Sequence, residues 1–272
     1  MSLSWRDRYI GVLSPERVAL VRRRRGWNRA FDIRIDAPCG DASPAAAATA
    51  LEGLLQRPEV AAGNITLLLS NHFVRYLLVP WRSETKTPEE FMAFAGICCD
   101  RLYGGDPGRR ILRTARERAG RPRLAAVLEA EFLAALRRAV GASRLRLASV
   151  QPYLAAAFNC LGVAFRQDSF LFLVAEPSRT CLLVALGGCW HSVRAGSGED
   201  SPQALADLIE REAQLLGLEP DGMPPIFVHS PRQSRLDLPE CNGVAPATLA
   251  LPIPAALAEG ADPLLAMAMT VA

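Results

Sequence analysis

The sequence predicts an α/β protein built from two copies of a βββαβ unit. Three observations carry that prediction. First, residues 169–198 read as three short strands (an apolar run over 170–175, a second over 180–186 and a third over 190–194), parted by Glu176-Pro177-Ser178 and Gly187-Gly188. Pro presets φ for a tight turn, and paired glycines supply the positive φ that a hairpin needs. Second, the same order occurs over residues 9–36. There Ser14-Pro15-Glu16-Arg17 stands where Glu176-Pro177-Ser178-Arg179 stands later, an offset of 162 residues between Pro15 and Pro177. Gly26 matches Gly188 at that offset, and Trp27 matches Trp190 one residue further out. Third, each copy runs on into Ser-Pro, a helical stretch and an apolar strand: Ser43-Pro44, 45–57 and 65–70, then Ser201-Pro202, 203–216 and 225–230. Self-similarity at a near-constant offset is the mark of a duplication and sets the fold.

The remaining elements follow in order. Residues 65–69 are almost continuously apolar, as in a strand buried on both faces. A strand over 73–79 ends at Pro80-Trp81. After a polar linker, Pro88-Glu89-Glu90 opens a helix with Pro at its first position and acids in its first turn. That helix, 89–103, is read with Phe91, Phe94, Ile97 and Leu102 on one side. Residues 110–117 and 121–128 suit a hairpin around Ala119-Gly120. A helix over 129–140, a strand over 145–150 and a helix over 152–161 complete the first half. Beyond the second copy come a polar loop over 231–242, a last strand over 248–251 and a helix over 264–271 capped by Asp262-Pro263. The domains are therefore expected at 1–165 and 166–272, with a hairpin–helix insertion at 83–128.

Composition narrows the function classes. Half of the 272 residues are hydrophobic and 22% are charged, which suits a globular chain with a sizeable core. A net charge of +3 gives no footprint for nucleic acid, and basic residues with interleaved aromatics are missing. All 31 basic residues except Lys86 are Arg, which with the abundant Ala points to the codon usage of a GC-rich genome. The run Arg22–Arg25 reads as a solvated strand end, with a basic edge that meets anionic lipid or an acidic partner segment as the sharper alternative, although strand alternation sends at most half of it to one face. Seven cysteines with no CxxC pair suggest free thiols in a reducing compartment. No secretory leader and no apolar run of membrane-spanning length is visible, so the expectation is a cytoplasmic protein whose membrane contact would be peripheral. His72, His191 and His229 lack metal-ligand spacing, although His72 and His229 end corresponding strands and could approach one cleft. Ser197 sits in Gly196-Ser197-Gly198, which is not a nucleophile elbow. No catalytic or metal-binding constellation is expected.

The segments just described carry a resemblance. The strand ending in Pro80-Trp81, Leu145-Arg146-Leu147 running to Val150 and a helix, residues 190–198 followed by a helix, and Asp262-Pro263 with its small apolar helix resemble the actin-like fold of two ribonuclease-H-type domains. More narrowly they resemble PilM pilus-assembly proteins and the cytoplasmic domains of GspL secretion-platform proteins. That resemblance implies an interdomain cleft, which in actin-like ATPases binds ATP through Asp-x-Gly turns and a late Gly-Gly. This chain departs at each point. Its first turn ends in Ser14-Pro15, its second holds Glu176-Pro177, and Ser230-Pro231-Arg232 stands where Gly-Gly would be. Phosphate turns need backbone N–H groups and Gly, which Pro removes. Only Gly196, Ser197 and Gly198, ahead of a helix, keep the form of an anion cradle. The stretch 217–224 also leaves no room for a lid subdomain.

The resemblance then implies a non-enzymatic scaffold without cofactor in a type IV pilus or type II secretion-like inner-membrane platform. It would bind a cytoplasmic segment of a membrane-anchored partner, and an edge or groove is the usual way to capture such a segment. Candidate partner residues are Phe73, Arg75 and Tyr76 with Phe91 and Phe94 of the inserted helix. Ser14, Glu176, Gly196, Ser197 and Gly198 mark the vestigial cleft. The alternative is an actin-like ATP-binding protein or ATPase, with ATP and Mg held by altered phosphate loops and Glu176 as the nearest carboxylate.

Overall fold

Local turn chemistry sets the strands. In the computed structural model, which describes residues 7–24, 31–162, 165, 167–232, 236–251 and 262–272, β1 (Asp7–Leu13) turns into β2 (Arg17–Arg23) at Ser14-Pro15-Glu16. The Ser14 hydroxyl donates to the Arg17 carbonyl at 2.8 Å and closes the turn. β3 (Phe31–Pro38) pairs antiparallel with β2, and Ser43 then caps α1 (Pro44–Leu55) by accepting from Ala46 N–H, with Pro44 at the first helical position. β4 (Gly63–Leu69) returns parallel to β1. An inserted segment follows: β5 (Arg75–Val79), α2 (Pro88–Tyr103), β6 (Arg110–Thr114) and β7 (Arg123–Glu129). Next, α3 (Ala130–Gly141) leads to β8 (Leu145–Pro152), parallel to β4, and to α4 (Tyr153–Leu161). The first sheet has the order β3-β2-β1-β4-β8.

The second unit repeats that plan. β9 (Phe170–Glu176), β10 (Arg179–Leu186) and β11 (Cys189–Gly196) form an antiparallel meander, and α5 (Pro202–Leu215) crosses to β12 (Ile226–His229), parallel to β9. With β13 (Ala247–Thr248) the order is β11-β10-β9-β12-β13, strand for strand the order of the first sheet. The turns explain the register. Glu176 pairs with Arg179 across Pro177-Ser178, with Ser178 at φ 57°. Leu186 pairs with Cys189 across Gly187 and Gly188 at φ 57° and 71°, the two positive φ values of a type I′ hairpin. The proposed echoes Gly26 and Trp27 lie outside the described residues.

One core spans both units. Leu13, Leu68 and Leu69 of the first sheet, Tyr153 and Leu154 of α4, and Phe170, Phe172, Val174 and Cys181 of the second sheet belong to one buried cluster. The other face of the second sheet, with Leu171, Leu173, Leu182 and Val184, packs on Leu205, Ala206, Ile209 and Ala213 of α5, a stripe at helical spacing. α2 covers the three-stranded sheet β5-β7-β6. Its buried stripe is Phe91, Ala95 and Cys99, spaced by four; Ile97 and Leu102 are 54% and 60% exposed. That corrects the sequence-predicted stripe, whose rough three-to-four spacing included residues that the helix turns outward. The insertion also docks on the second unit: β5 runs along β11, Trp190 Nε1 donates to Glu117 at 3.1 Å, and Arg121 donates to the Gly188 carbonyl at 2.7 Å. All seven cysteines are free thiols.

The chain finally returns to the first sheet. α6 (Pro263–Ala268) and a 3-10 turn (Met269–Val271) pack on β1, β2 and α4. Buried Asp262 caps α6 by accepting from Leu264 N–H at 3.0 Å and pairs with both Arg17 and Arg34. Asp262→Ala removes the cap and both ion pairs, while the two arginines, about a third exposed, stay hydrated. A loss of about 2 kcal/mol is expected in urea unfolding, and Asp262→Asn, which keeps a cap, should lose less.

Candidate functional site: the seam between the two units and the adjoining cleft

The two sheets meet where β1, β4, β9 and β12 end. Ser70 N–H donates to the Leu13 carbonyl at 2.9 Å, so the chain leaves β4 pressed against the first hairpin. From the other unit Glu176, at the end of β9 and only 2% exposed, reaches into that backbone. Its carboxylate accepts from Ser70 Oγ and from Asn71 N–H at 2.9 Å. Burial pushes its pKa up to about 7; Ser70, Asn71 and the Arg179 charge pull the other way. The Asn71 amide favours the ionised form by its dipole, although Nδ2 makes no aligned hydrogen bond. Arg179 Nε donates to the Asn71 carbonyl at 3.2 Å and gives the seam a second tie.

Asn71 organises the first unit's side. Its Oδ1 accepts from the Tyr76 hydroxyl at 2.6 Å and from Leu154 N–H at 3.0 Å. α4 has Pro152 at its cap position and no side-chain cap of its own, so Asn71 satisfies one of the amides that the helix start leaves open. His229, at the end of β12, contacts the Tyr153 hydroxyl with Nε2 at 2.7 Å and the Leu249 carbonyl with Nδ1 at 2.8 Å. A carbonyl only accepts, so Nδ1 carries the hydrogen and Nε2 accepts from Tyr153. Burial lowers the His229 pKa and keeps the ring neutral. His72 and His229 both reach the seam region, on separate hydrogen-bond chains.

Beside the seam a cleft of about 500 Å³ opens between the first unit and the inserted sheet. Phe73, Val127, Leu128 and Phe132 line it, with the Phe73 and Phe132 ring centroids 5.1 Å apart. Its polar wall carries His72, Arg75, Arg109, Arg110 and Arg179 against Asp106, Glu129 and Glu131.

No family profile and no curated protein matches the chain. Solved structures do. A chain of the PilM-PilN type IV pilus biogenesis complex superposes with a TM-score of 0.64, covering 99% of this chain and 98% of that one at 16% identity. The cytoplasmic domain of EpsL, an inner membrane component of the type II secretion system of Vibrio cholerae, gives 0.58 over 98% and 95% at 9% identity. A Bacteroides thetaiotaomicron protein with an actin-like ATPase fold and unknown function gives 0.57 over 84% and 82% at 6% identity. The chain has the actin-like fold.

Within that actin-like fold the sequence-chosen residues separate into groups. Ser14 spends its hydroxyl on its own turn, and Glu176 spends both carboxylate oxygens on Ser70 and Asn71. Gly196, Ser197 and Gly198 lie elsewhere, in a groove of about 520 Å³ between β11 and α5. There Ser192 and Arg194 hold the buried Glu212 carboxylate. The five vestigial-cleft candidates therefore do not converge on one site. Of the partner candidates, Phe73 and Arg75 line the cleft. Tyr76 is buried in the seam, Phe91 lies in the inserted core under Arg123, and Phe94 is half-buried under Arg82. Arg179 and Phe132 complete the wall, and nothing in their sequence neighbourhoods marks it; His72, read from the sequence as able to approach a cleft together with His229, lines this one without His229.

The seam carboxylate sets a pH dependence. Its folded pKa lies above the ordinary carboxylate value, so the native state holds the proton more tightly than the unfolded chain. Stability attached to Glu176 is then full below the ordinary value and is lost as pH rises through about 7. Glu176→Gln should flatten that part of the curve, by up to about 3 kcal/mol between pH 4.5 and 7.5 in urea unfolding.

Proposed function

We propose that this chain is a non-enzymatic assembly scaffold of a type IV pilus or type II secretion-like platform. In this reading it docks a cytoplasmic segment of a membrane-anchored partner in the cleft between the first unit and the inserted sheet. The observation that carries it is the cleft beside the seam, an apolar floor with a rim of four arginines and three carboxylates. The full-length likeness to a chain of the PilM-PilN complex and to the EpsL cytoplasmic domain supports the setting. No helix among the described residues is long and apolar enough to cross a membrane, so the chain would attach to an inner membrane through such a partner.

ATP turnover fits the residues less well. A metal-bound nucleotide needs free carboxylate or hydroxyl oxygens at its turns, and the Ser14 hydroxyl and the Glu176 carboxylate already accept from protein donors, Ser14 from Arg17 N–H and Glu176 from Ser70 and Asn71. We place the domain boundary at 165/166, between the end of α4 and the start of β9, with α6 strapped back onto the first sheet.

Two measurements test the reading. Synthetic cytoplasmic segments of the membrane proteins encoded beside this chain should include one that binds in fluorescence anisotropy. Arg75→Glu, exposed on the cleft rim, should then weaken it about tenfold, or 1.4 kcal/mol; equal affinity for wild type and variant would count against the cleft. Calorimetric titration with Mg-ATP should give no saturable heat, and micromolar binding would favour the ATP-binding alternative.

A further inference from the structure

Two residues belong to the cleft and the seam at once. Arg179 lines the cleft while its Nε holds the Asn71 carbonyl across the seam. His72 lines the cleft while its Nδ1 lies 2.9 Å from Ser70 Oγ, and that hydroxyl reaches Glu176. His72, Ser70 and Glu176 thus form a hydrogen-bonded chain leading from the cleft into the buried interface.

Proton bookkeeping on this chain is restrictive, since Ser70 has one hydroxyl hydrogen to give. With Glu176 ionised and His72 neutral, Ser70 donates to the carboxylate, so Nδ1 must carry the hydrogen and Nε2 is bare. One added proton allows two arrangements that satisfy every group. Either His72 becomes charged, or Glu176 becomes the acid and donates to Ser70, which turns to donate to Nδ1. The two share a single proton count and titrate as a unit.

The surroundings decide when that proton arrives. Burial, then repulsion from Arg179, lowers the His72 pKa; Glu16 on the β1–β2 turn and the Pro177 carbonyl raise it. Around Glu176 stand Ser70, Asn71 and Arg179, with Tyr76, Tyr153 and Cys181 uncharged because burial raises all three. Arg179 is the cation that both titrating groups feel. An anion seated on it cancels its repulsion of His72 and reduces its support of the Glu176 charge, and both effects draw a proton in. The guanidinium fork suits a carboxylate, and Phe73 with Phe132 offers an apolar floor beside it.

We propose that Arg179 and His72 form a carboxylate-binding subsite on the seam-side wall of the cleft, and that filling it draws one proton into the His72–Ser70–Glu176 chain. This rests on the docking reading of the cleft and adds the chemistry of the segment that enters: extended, apolar and acidic. Docking would then tighten with acidity and act on the ties that clasp the two units.

The probe is the capped peptide acetyl-Phe-Glu-Leu-Glu-amide, with its Gln-for-Glu counterpart as control, titrated calorimetrically into the full chain. The Glu peptide should bind about tenfold more tightly than the Gln peptide. Its affinity should fall as pH rises from 6 to 8, by at most about tenfold per pH unit for one linked proton. Heats in two buffers of different ionisation enthalpy should show proton uptake. Arg179→Gln should abolish the preference for Glu over Gln. Glu176→Gln should keep that preference and flatten the pH dependence; if that variant does not fold, His72→Gln tests the pH dependence alone, which it should flatten as well. Equal binding of the two peptides, or binding of neither, overturns the subsite. Proton uptake that survives both Glu176→Gln and His72→Gln overturns the chain. Failure of the docking reading looks different: there, no membrane-partner segment binds the wild-type chain, whatever the capped peptides do.

Discussion

The relation of the two units depends on a buried carboxylate whose hydrogen bonds, among the described residues, come from the other unit. Glu176 belongs to the second sheet, and the donors it accepts from, Ser70 Oγ and Asn71 N–H, belong to the first. Leaving such a group unpaired in a dry seam costs several kcal/mol. Every rotation of one unit against the other must therefore either keep these bonds or open the seam to water. Arg179 imposes the same condition in the opposite sense, as a donor from the second unit to a carbonyl of the first. Acceptor and donor arise from one two-residue hairpin, so Pro177-Ser178 fixes both with a single backbone geometry.

Asn71 carries that constraint inward. Its backbone serves the seam while its side chain caps α4 and holds Tyr76. α4 in turn packs beneath the returning C-terminal segment, which Asp262 ties to β2 and β3 through Arg17 and Arg34. The insertion braces the same joint from outside through Trp190–Glu117 and Arg121–Gly188. A continuous apolar cluster across both sheets supplies most of the cohesion; the polar ties specify which of the greasy orientations is adopted. Hydrophobic burial is non-directional, whereas hydrogen bonds have preferred angles.

What could be read from the sequence follows from what repeats. Turns written in Pro and Gly recur at a fixed offset, and both sheets took the same strand order from them. The Ser43, Ser201 and Asp262 caps were legible because capping chemistry is local. The cleft was half legible. Phe73 and Arg75 lie two residues apart on one segment, so placing the segment placed both. Tyr76 belonged to the same reading and went to the seam, because the next position along a strand faces the opposite side. Phe91 and Phe94 went into and against the inserted core, since α2 covers its own sheet first. Arg179 and Phe132 reach the cleft from stretches about a hundred and about sixty residues away from Phe73, and nothing local announces a wall assembled at that range.

The altered turns bear on function through what they force as well as through what they lack. A carboxylate at the end of β9 could face solvent or turn inward, and a flexible glycine turn would permit both. Pro177 narrows that choice by fixing φ just after Glu176 and withdrawing one N–H from the turn. The donors that remain within reach are those of Ser70 and Asn71, and the side chain takes them. Once it does, the carboxylate ties the units together at that point, and a cleft lies on its flank, where the inserted sheet meets the first unit. A binding surface on this chain is therefore expected at the side of the seam rather than in it, and the residues that close the seam are the same ones that form part of its wall.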